Sequence, residues 1–297
     1  MSNKPRKMTL EKKHNLTGWA FLAPATFLIA VFSFWPMIKA LVLSFQTGKG
    51  TNMQMAGFTN YIRLFQDDVF IQSIKNTFFY FVLQVPIMLA VALVLACILN
   101  KKDLRFKGFF RTMIFLPCTT SLVAYSIIFR SLFANDGLVN YVLVNLGILD
   151  KPYNFLTQPF AAKMVIILAL LWRWTGYNMV FFLSGLQNIE SSVYEAAKID
   201  GASAIQTFFK ITVPVLKPTI LLTAIMSTNG TLQLFDESIN LTDGGPANAS
   251  ISMSHYIYNL CFKYVPNFGY AAAMSFFILL LVAVLAFIQM RVGDKRD

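Results

Sequence analysis

"EAAKIDGASAIQTFFKITVPVLKP", residues 195–218, lies between two of the most apolar stretches of a very apolar chain. It has its own acids and bases, several small residues, Gly201, and the spaced prolines Pro214 and Pro218. Ser191 or Ser192 is placed to cap a helix with Glu195 in its first turn. Residues 195–199 suit that helix. Gly201 accepts positive φ and permits a sharp exit. Residues 205–209 form a second helical piece with its apolar side chains close to one face, and the prolines mark the turn back into an apolar run. A short helix, a turn and a re-entry are expected. The stretch is too short and too polar to span a bilayer, so it belongs at the membrane surface, between two spans.

The flanks set the fold class. The chain has 297 residues, 56% hydrophobic and 13% charged. A soluble domain carries about 25% charge, so lipid is the expected solvent. Six apolar runs are read as spans, at 19–45, 77–99, 109–133, 161–186, 212–241 and 268–290. Each reaches the ~20 residues that a helix rising 1.5 Å per residue needs to cross ~30 Å of hydrocarbon. Helices are required because lipid offers no partner to free backbone groups. The expectation is an all-α polytopic protein of six transmembrane helices, with the opening stretch between the fourth and fifth. The fifth run holds Asn229, Gly230, Gln233, Asp236 and Glu237, which a lipid-facing helix does not tolerate. The first run is longer than a signal core and lacks a small-x-small cleavage site, so it is read as a membrane helix containing Pro24 and Pro36.

Basic residues orient the chain. With the N-terminus inside, sixteen of the 25 Lys and Arg fall on the inner side, including Lys198, Lys210 and Lys217 of the opening stretch. Both termini are therefore expected in the cytoplasm. The domain reading is a cytoplasmic tail 1–18, a transmembrane domain 19–291 with the surface loop at 190–214, and a tail 292–297. The net charge of +11 follows from inner-leaflet retention and does not indicate nucleic acid. Cys97, Cys118 and Cys261 are scattered, and His14 and His255 are too far apart for a zinc site, so no metal or cofactor is expected. No phosphate-cradling Gly-rich loop and no nucleophile–base–orienter set occurs. The chain is not read as an enzyme. Any ATP is bound by another polypeptide.

The opening stretch resembles the cytoplasmic signature loop of ABC importer permeases: Glu-Ala-Ala, three residues, Gly, nine residues, Ile-x-Leu-Pro. Here these are Glu195-Ala196-Ala197, Gly201 and Ile211-Thr212-Val213-Pro214, with Val213 in place of Leu. The resemblance extends along most of the chain. "WAFLAPATFLIAVFSFWPMIKALVLSF", "RTMIFLP", "LFANDGLVN", "WRWTGYNMVFFLSGLQNI" and "LTDGGPANAS" look like the corresponding parts of carbohydrate importer permeases of the maltose-transporter type. The match is to the first of two permeases, without a large periplasmic insertion. The resemblance implies a heterodimer with a second permease, cytoplasmic ATP-binding subunits, an extracellular solute-binding protein, and residence in a bacterial or archaeal cell membrane. It implies a coupling helix in which Glu195, Ala196, Ala197, Asp200, Gly201 and Pro214 dock on the ATPase.

Polar groups at membrane depth mark a pathway. The fourth span carries Trp172, Arg173, Trp174, Thr175, Gly176, Tyr177 and Asn178, and the resemblance to the maltose-type family implies that Trp172, Thr175, Gly176 and Met179 lie near a mid-membrane pocket. The fifth carries Ser227, Thr228, Asn229, Gly230, Thr231 and Gln233, and the same resemblance implies that Ser227, Gly230, Thr231 and Leu234 lie there too. Aromatic faces with amides and hydroxyls suit a sugar: a mono-, di- or oligosaccharide. The same residue types also form interfacial belts and pack helices together. Asp236 and Glu237 either contact a binding protein or are solvated. Arg173 is a cation–π partner or binds an anionic substrate, which keeps a glycerol-phosphate-type solute open. A standalone secondary transporter is the third reading, although no internal repeat or buried ion relay is evident.

Overall fold

The computed structural model describes residues 9–49, 52–101 and 103–293. The first apolar run forms α1 (Leu10–Ile29), a π-turn at Ala30–Phe34 and α2 (Trp35–Ser44) as one continuous rod. This helix starts within the segment read as a tail; residues 1–8 of that tail lie outside the described residues. α1 buries none of its residues and α2 buries Ser44 alone. A hairpin of β1 (Gln46–Lys49) and β2 (Asn52–Met55) follows, then the short α3 (Thr59–Leu64).

α4 (Asp68–Leu99) starts where Asp67 caps it. Asp67 Oδ1 accepts from the amides of Val69 (3.0 Å) and Phe70 (3.1 Å), which otherwise lack partners in a first turn. Oδ2 accepts from the phenols of Tyr256 and Tyr270, each at 2.8 Å. One carboxylate thus joins the start of the second span to the region around the sixth.

The third run is α5 (Lys107–Thr119) and α6 (Leu122–Leu132), bent by 99° at the break between them. Pro117 lies just before that break. α7 (Leu138–Asn145) crosses the following loop, and α8 (Pro159–Gln187) is the fourth span. Then come α9 (Ser191–Ile199), α10 (Ala204–Thr207), a π-turn at Phe208–Thr212, and α11 (Val213–Val215). The chain bends by 70° into α12 (Lys217–Leu232). The fifth run is therefore not one helix to residue 241. It stops at Leu232, and α13 (Asp236–Thr242) starts after three non-helical residues. α14 (Met253–Tyr258) with a π-turn at Asn259–Lys263 leads to α15 (Phe268–Gly293).

Among the described residues, four helices are long and apolar enough to cross a membrane, or up to six if each bent pair counts as one span. Packing centres on α4 and α8. Ala92 and Ala96 of α4 meet Met179, Phe182 and Leu186 of α8 toward one end. Tyr80 meets Ile166, Ile167 and Leu170 toward the other. α15 seals the α4 flank, with Tyr270, Met274 and Ile278 on Leu64, Phe70 and Met253. This frame holds α12 and α13 against α8, which sets the site.

Candidate functional site

Where α12 ends and α13 begins, the backbone opens a cavity of about 280 Å³ between α4, α6, α8, α12 and α13. α8 contributes Leu170, Trp174, Tyr177 and Asn178, and α12 contributes Met226, Ser227, Gly230 and Thr231. Gln233, Leu234 and Phe235 of the unwound segment close it, with Asp236 and Glu237 at the start of α13. α4 adds Gln84 and Met88, and α6 adds Leu122.

The polar groups are held in place by one another. Thr231 Oγ1 donates to Gln84 Oε1 at 2.9 Å, linking α12 to α4. Asn178 donates to Trp174 O at 3.0 Å and accepts from Ser227 Oγ at 3.3 Å, linking α8 to α12. Gln233 donates to Asn229 one turn back. The phenol of Tyr125 donates to Glu237 Oε1, and both groups are buried. Ordered amides and hydroxyls beside the rings of Trp174 and Tyr177 suit a hydroxylated solute with an apolar face.

Of the expected pathway residues, Tyr177, Asn178, Ser227, Gly230, Thr231, Gln233 and Leu234 line this cavity. Trp172, Thr175, Gly176 and Met179 do not. The reason is helical phase. Residues 170, 174, 177 and 178 share one face of α8, while 172, 175, 176 and 179 lie on the other side. Gly176 meets α5 instead, where a β-carbon would stand 1.9 Å from Ile114 O. Met179 is fully buried beside Phe182, and Trp172 stacks on Tyr125 with ring centres 6.3 Å apart. Gln84 and Met88 were not foreseen. A lone amide inside the apolar run of the second span was the signal for Gln84.

Glu237 is not solvated: its carboxyl is buried against Tyr125. Arg173 does not face the cavity. Its guanidinium donates to Thr120 O at 2.7 Å, at the break of the third span, and lies 4.9 Å from the Tyr125 ring and 5.3 Å from the Trp174 ring.

The opening stretch forms a separate feature. Glu195, Ala196, Lys198 and Asp200 are exposed, while Ala197 is buried. Glu190, rather than Ser191 or Ser192, takes the position before the helix, and Ser192 Oγ donates to its carboxylate at 3.2 Å. Glu195 therefore sits in the second turn, not the first. Gly201 has φ +73°, the left-handed conformation that ends α9. Ser203 and Gln206 then form a reciprocal capping box for α10. Ile199, Ile205 and Phe209 are left exposed.

Residues 70–296 match the family model described as binding-protein-dependent transport system inner membrane component. The chain belongs to this family. The lactose transport system permease protein LacF of Rhizobium radiobacter is 52% identical over 292 residues, covering 98% of both chains. The sn-glycerol-3-phosphate transport system permease protein UgpA of Agrobacterium fabrum is 30% identical, covering 95% of this chain and 96% of that one. A crystal structure of a bacterial alginate ABC transporter, in complex with an alginate-pentasaccharide-bound periplasmic protein, has a chain that superposes with a TM-score of 0.84 at 26% identity, covering 96% of each. The protein is thus an inner membrane component of a binding-protein-dependent transport system.

Proposed function

We propose that this family member is one of two permease subunits of an ATP-driven, binding-protein-dependent sugar importer. The observation that carries the reading is the cavity at the α12–α13 break, where interlocked amides and hydroxyls face the rings of Trp174 and Tyr177. The relative named as a lactose permease supports a sugar as the solute. The cavity is half of a pathway, and a second, homologous permease supplies the other half. Six spans with both termini cytoplasmic, the membrane domain at 19–291 and the loop 190–214 facing the cytoplasm complete the topology.

Within that loop, Glu195, Ala196, Ala197, Asp200, Gly201 and Pro214 form the coupling segment for a separate ATPase. Small Ala196 allows close approach of a partner backbone, and exposed Glu195 and Asp200 pair with basic groups there. Rigid-body closure of the ATPases reaches the helices through this contact.

The test is purification of the tagged chain from its native membrane in mild detergent, with mass spectrometry of what accompanies it. A second permease and a Walker-motif ATPase are expected, with ATPase activity stimulated by a sugar-loaded binding protein. Isolation of the chain alone would make a standalone carrier the better reading.

A further inference from the structure

We propose that this cavity selects uncharged solutes and rejects anionic ones, with Asp236 and Glu237 as the specificity-determining residues. The inference rests on the sugar-importer reading and names the charge class within it. The fold does not decide charge, because a superposing structure belongs to an importer of the acidic polysaccharide alginate. The side chains around the cavity must decide it.

Those side chains are one-sided. Every titratable carboxyl in the lining comes from the start of α13, and no Lys, Arg or His lines the cavity among the described residues. Glu237 is buried with its carboxyl bonded to Tyr125. Asp236 is half-buried and has no side-chain ion pair among the described residues. Arg173 is not among the lining residues; its guanidinium lies against the Tyr125 ring, with Nη1 donating to Thr120 O at 2.7 Å. A phosphate or carboxylate entering here finds no cation among the described lining residues of this subunit. Whatever the proton occupancy of Glu237, the lining offers acceptors, and a sugar hydroxyl is the donor that matches them.

The remaining lining groups agree. The amides of Gln84 and Asn178 and the hydroxyls of Ser227 and Thr231 are neutral and already paired with one another. They exchange hydrogen bonds with hydroxyls at low cost but do not neutralise a buried anion, which requires a paired charge.

The experiment uses the assembled transporter, trapped with ATP and vanadate, without its binding protein, so that the permease alone sets the preference. Retention of radiolabelled lactose and of lactobionate, its anionic aldonate, is measured by equilibrium dialysis. The wild-type complex is expected to retain lactose at least about tenfold better, the scale of one repulsive charge in a partly desolvated site. Asp236→Asn, alone and with Glu237→Gln, is expected to narrow that ratio several-fold. The single variant alters a half-exposed group and guards against loss of folding in the double variant. Equal retention of both solutes, or an unchanged ratio in Asp236→Asn, overturns the charge inference while leaving a sugar importer intact. Retention of neither solute by a complex that still holds its ATPase overturns the lactose-class reading, and the charge inference with it.

Discussion

Tyr125 on α6 and Glu237 on α13 form a buried hydrogen bond that ties the second half of the broken third span to the helix after the fifth. Tyr125 is fully buried and Glu237 is 4% exposed. Removing the hydroxyl in Tyr125→Phe leaves a buried acceptor without its donor, at a cost of about 1–3 kcal/mol. The melting temperature of the detergent-purified complex is expected to fall by several degrees. Glu237→Gln keeps an acceptor for the phenol and is expected to lose less. A Tyr125→Phe protein that melts like wild type would show that the bond contributes nothing.

Gly176 is required by close packing. A β-carbon there would meet Ile114 O at 1.9 Å and the Ile114 carbonyl carbon at 2.7 Å. Backbone cannot move aside as a flexible side chain does, so α5 and α8 must separate. Overpacking of this kind costs about 1–3 kcal/mol or more. Gly176→Ala is expected to reduce the amount of folded protein recovered from membranes, as judged by monodispersity in gel filtration. Gly230→Ala is the control, because nothing lies within 4 Å of a β-carbon at that position. Equal recovery of both variants would remove the packing argument.

The same glycine shows what the sequence could and could not tell. Composition and run length were enough for an all-helical membrane protein, because charge density and the ~20-residue span are set by the bilayer itself. The turn at Gly201 was legible because only a residue without a β-carbon adopts its φ of +73° freely. Gly176 and Met179 were placed at the cavity by the resemblance of the fourth span to that of maltose-type permeases. Sequence proximity does not fix helical phase relative to partners, and these two point to α5 and to the core. The turn near Leu216 was legible from Pro214 and Pro218, but the bend after Pro117 was hidden for a similar reason. Proline is common in membrane helices, and whether it kinks or breaks them depends on neighbours that re-satisfy the backbone. The end of α12 at Leu232 was foreshadowed only by polar residues that no lipid-facing helix carries.

His255 gives a pH dependence. Its ring is fully buried, with Nδ1 2.9 Å from Ser238 Oγ and Nε2 3.7 Å from Asp243 Oδ1. Phe235 stands edge-on to it, and Lys263 pairs with the same Asp243 at 2.9 Å. Burial pushes the imidazole pKa down to about 4; Asp243 pulls it up, and Lys263 pushes it further down. The folded value lies below the unfolded one, so the folded state holds fewer protons in between. Stability is fully present above pH ~6.5 and falls progressively as the pH drops toward 4, by up to about 3 kcal/mol. The melting temperature of the complex is expected to decline over that window. His255→Gln, which cannot titrate, is expected to flatten the decline. An identical slope in the variant would assign the acid sensitivity to other groups.

The exposed carboxylate of Glu195 is the most direct probe of coupling. It stands on α9 beside exposed Ala196, with Ala197 buried beneath, so a substitution at its tip leaves the packing of this chain untouched. Glu195→Lys reverses a charge that, in the proposed role, meets basic groups on the ATPase. Reversal at a contact of this kind costs about 2 kcal/mol or more, a factor of ten or greater in the coupled equilibrium. Uptake is expected to fall at least about tenfold, while the amount of protein in the membrane and its recovery with the second permease stay unchanged. The ATPase is expected to co-purify poorly, and Glu195→Gln is expected to lie between the two. A compensating acidic substitution on the ATPase is expected to recover transport, which loss of folding alone would not allow. Full uptake by Glu195→Lys would place the coupling contact elsewhere on the chain.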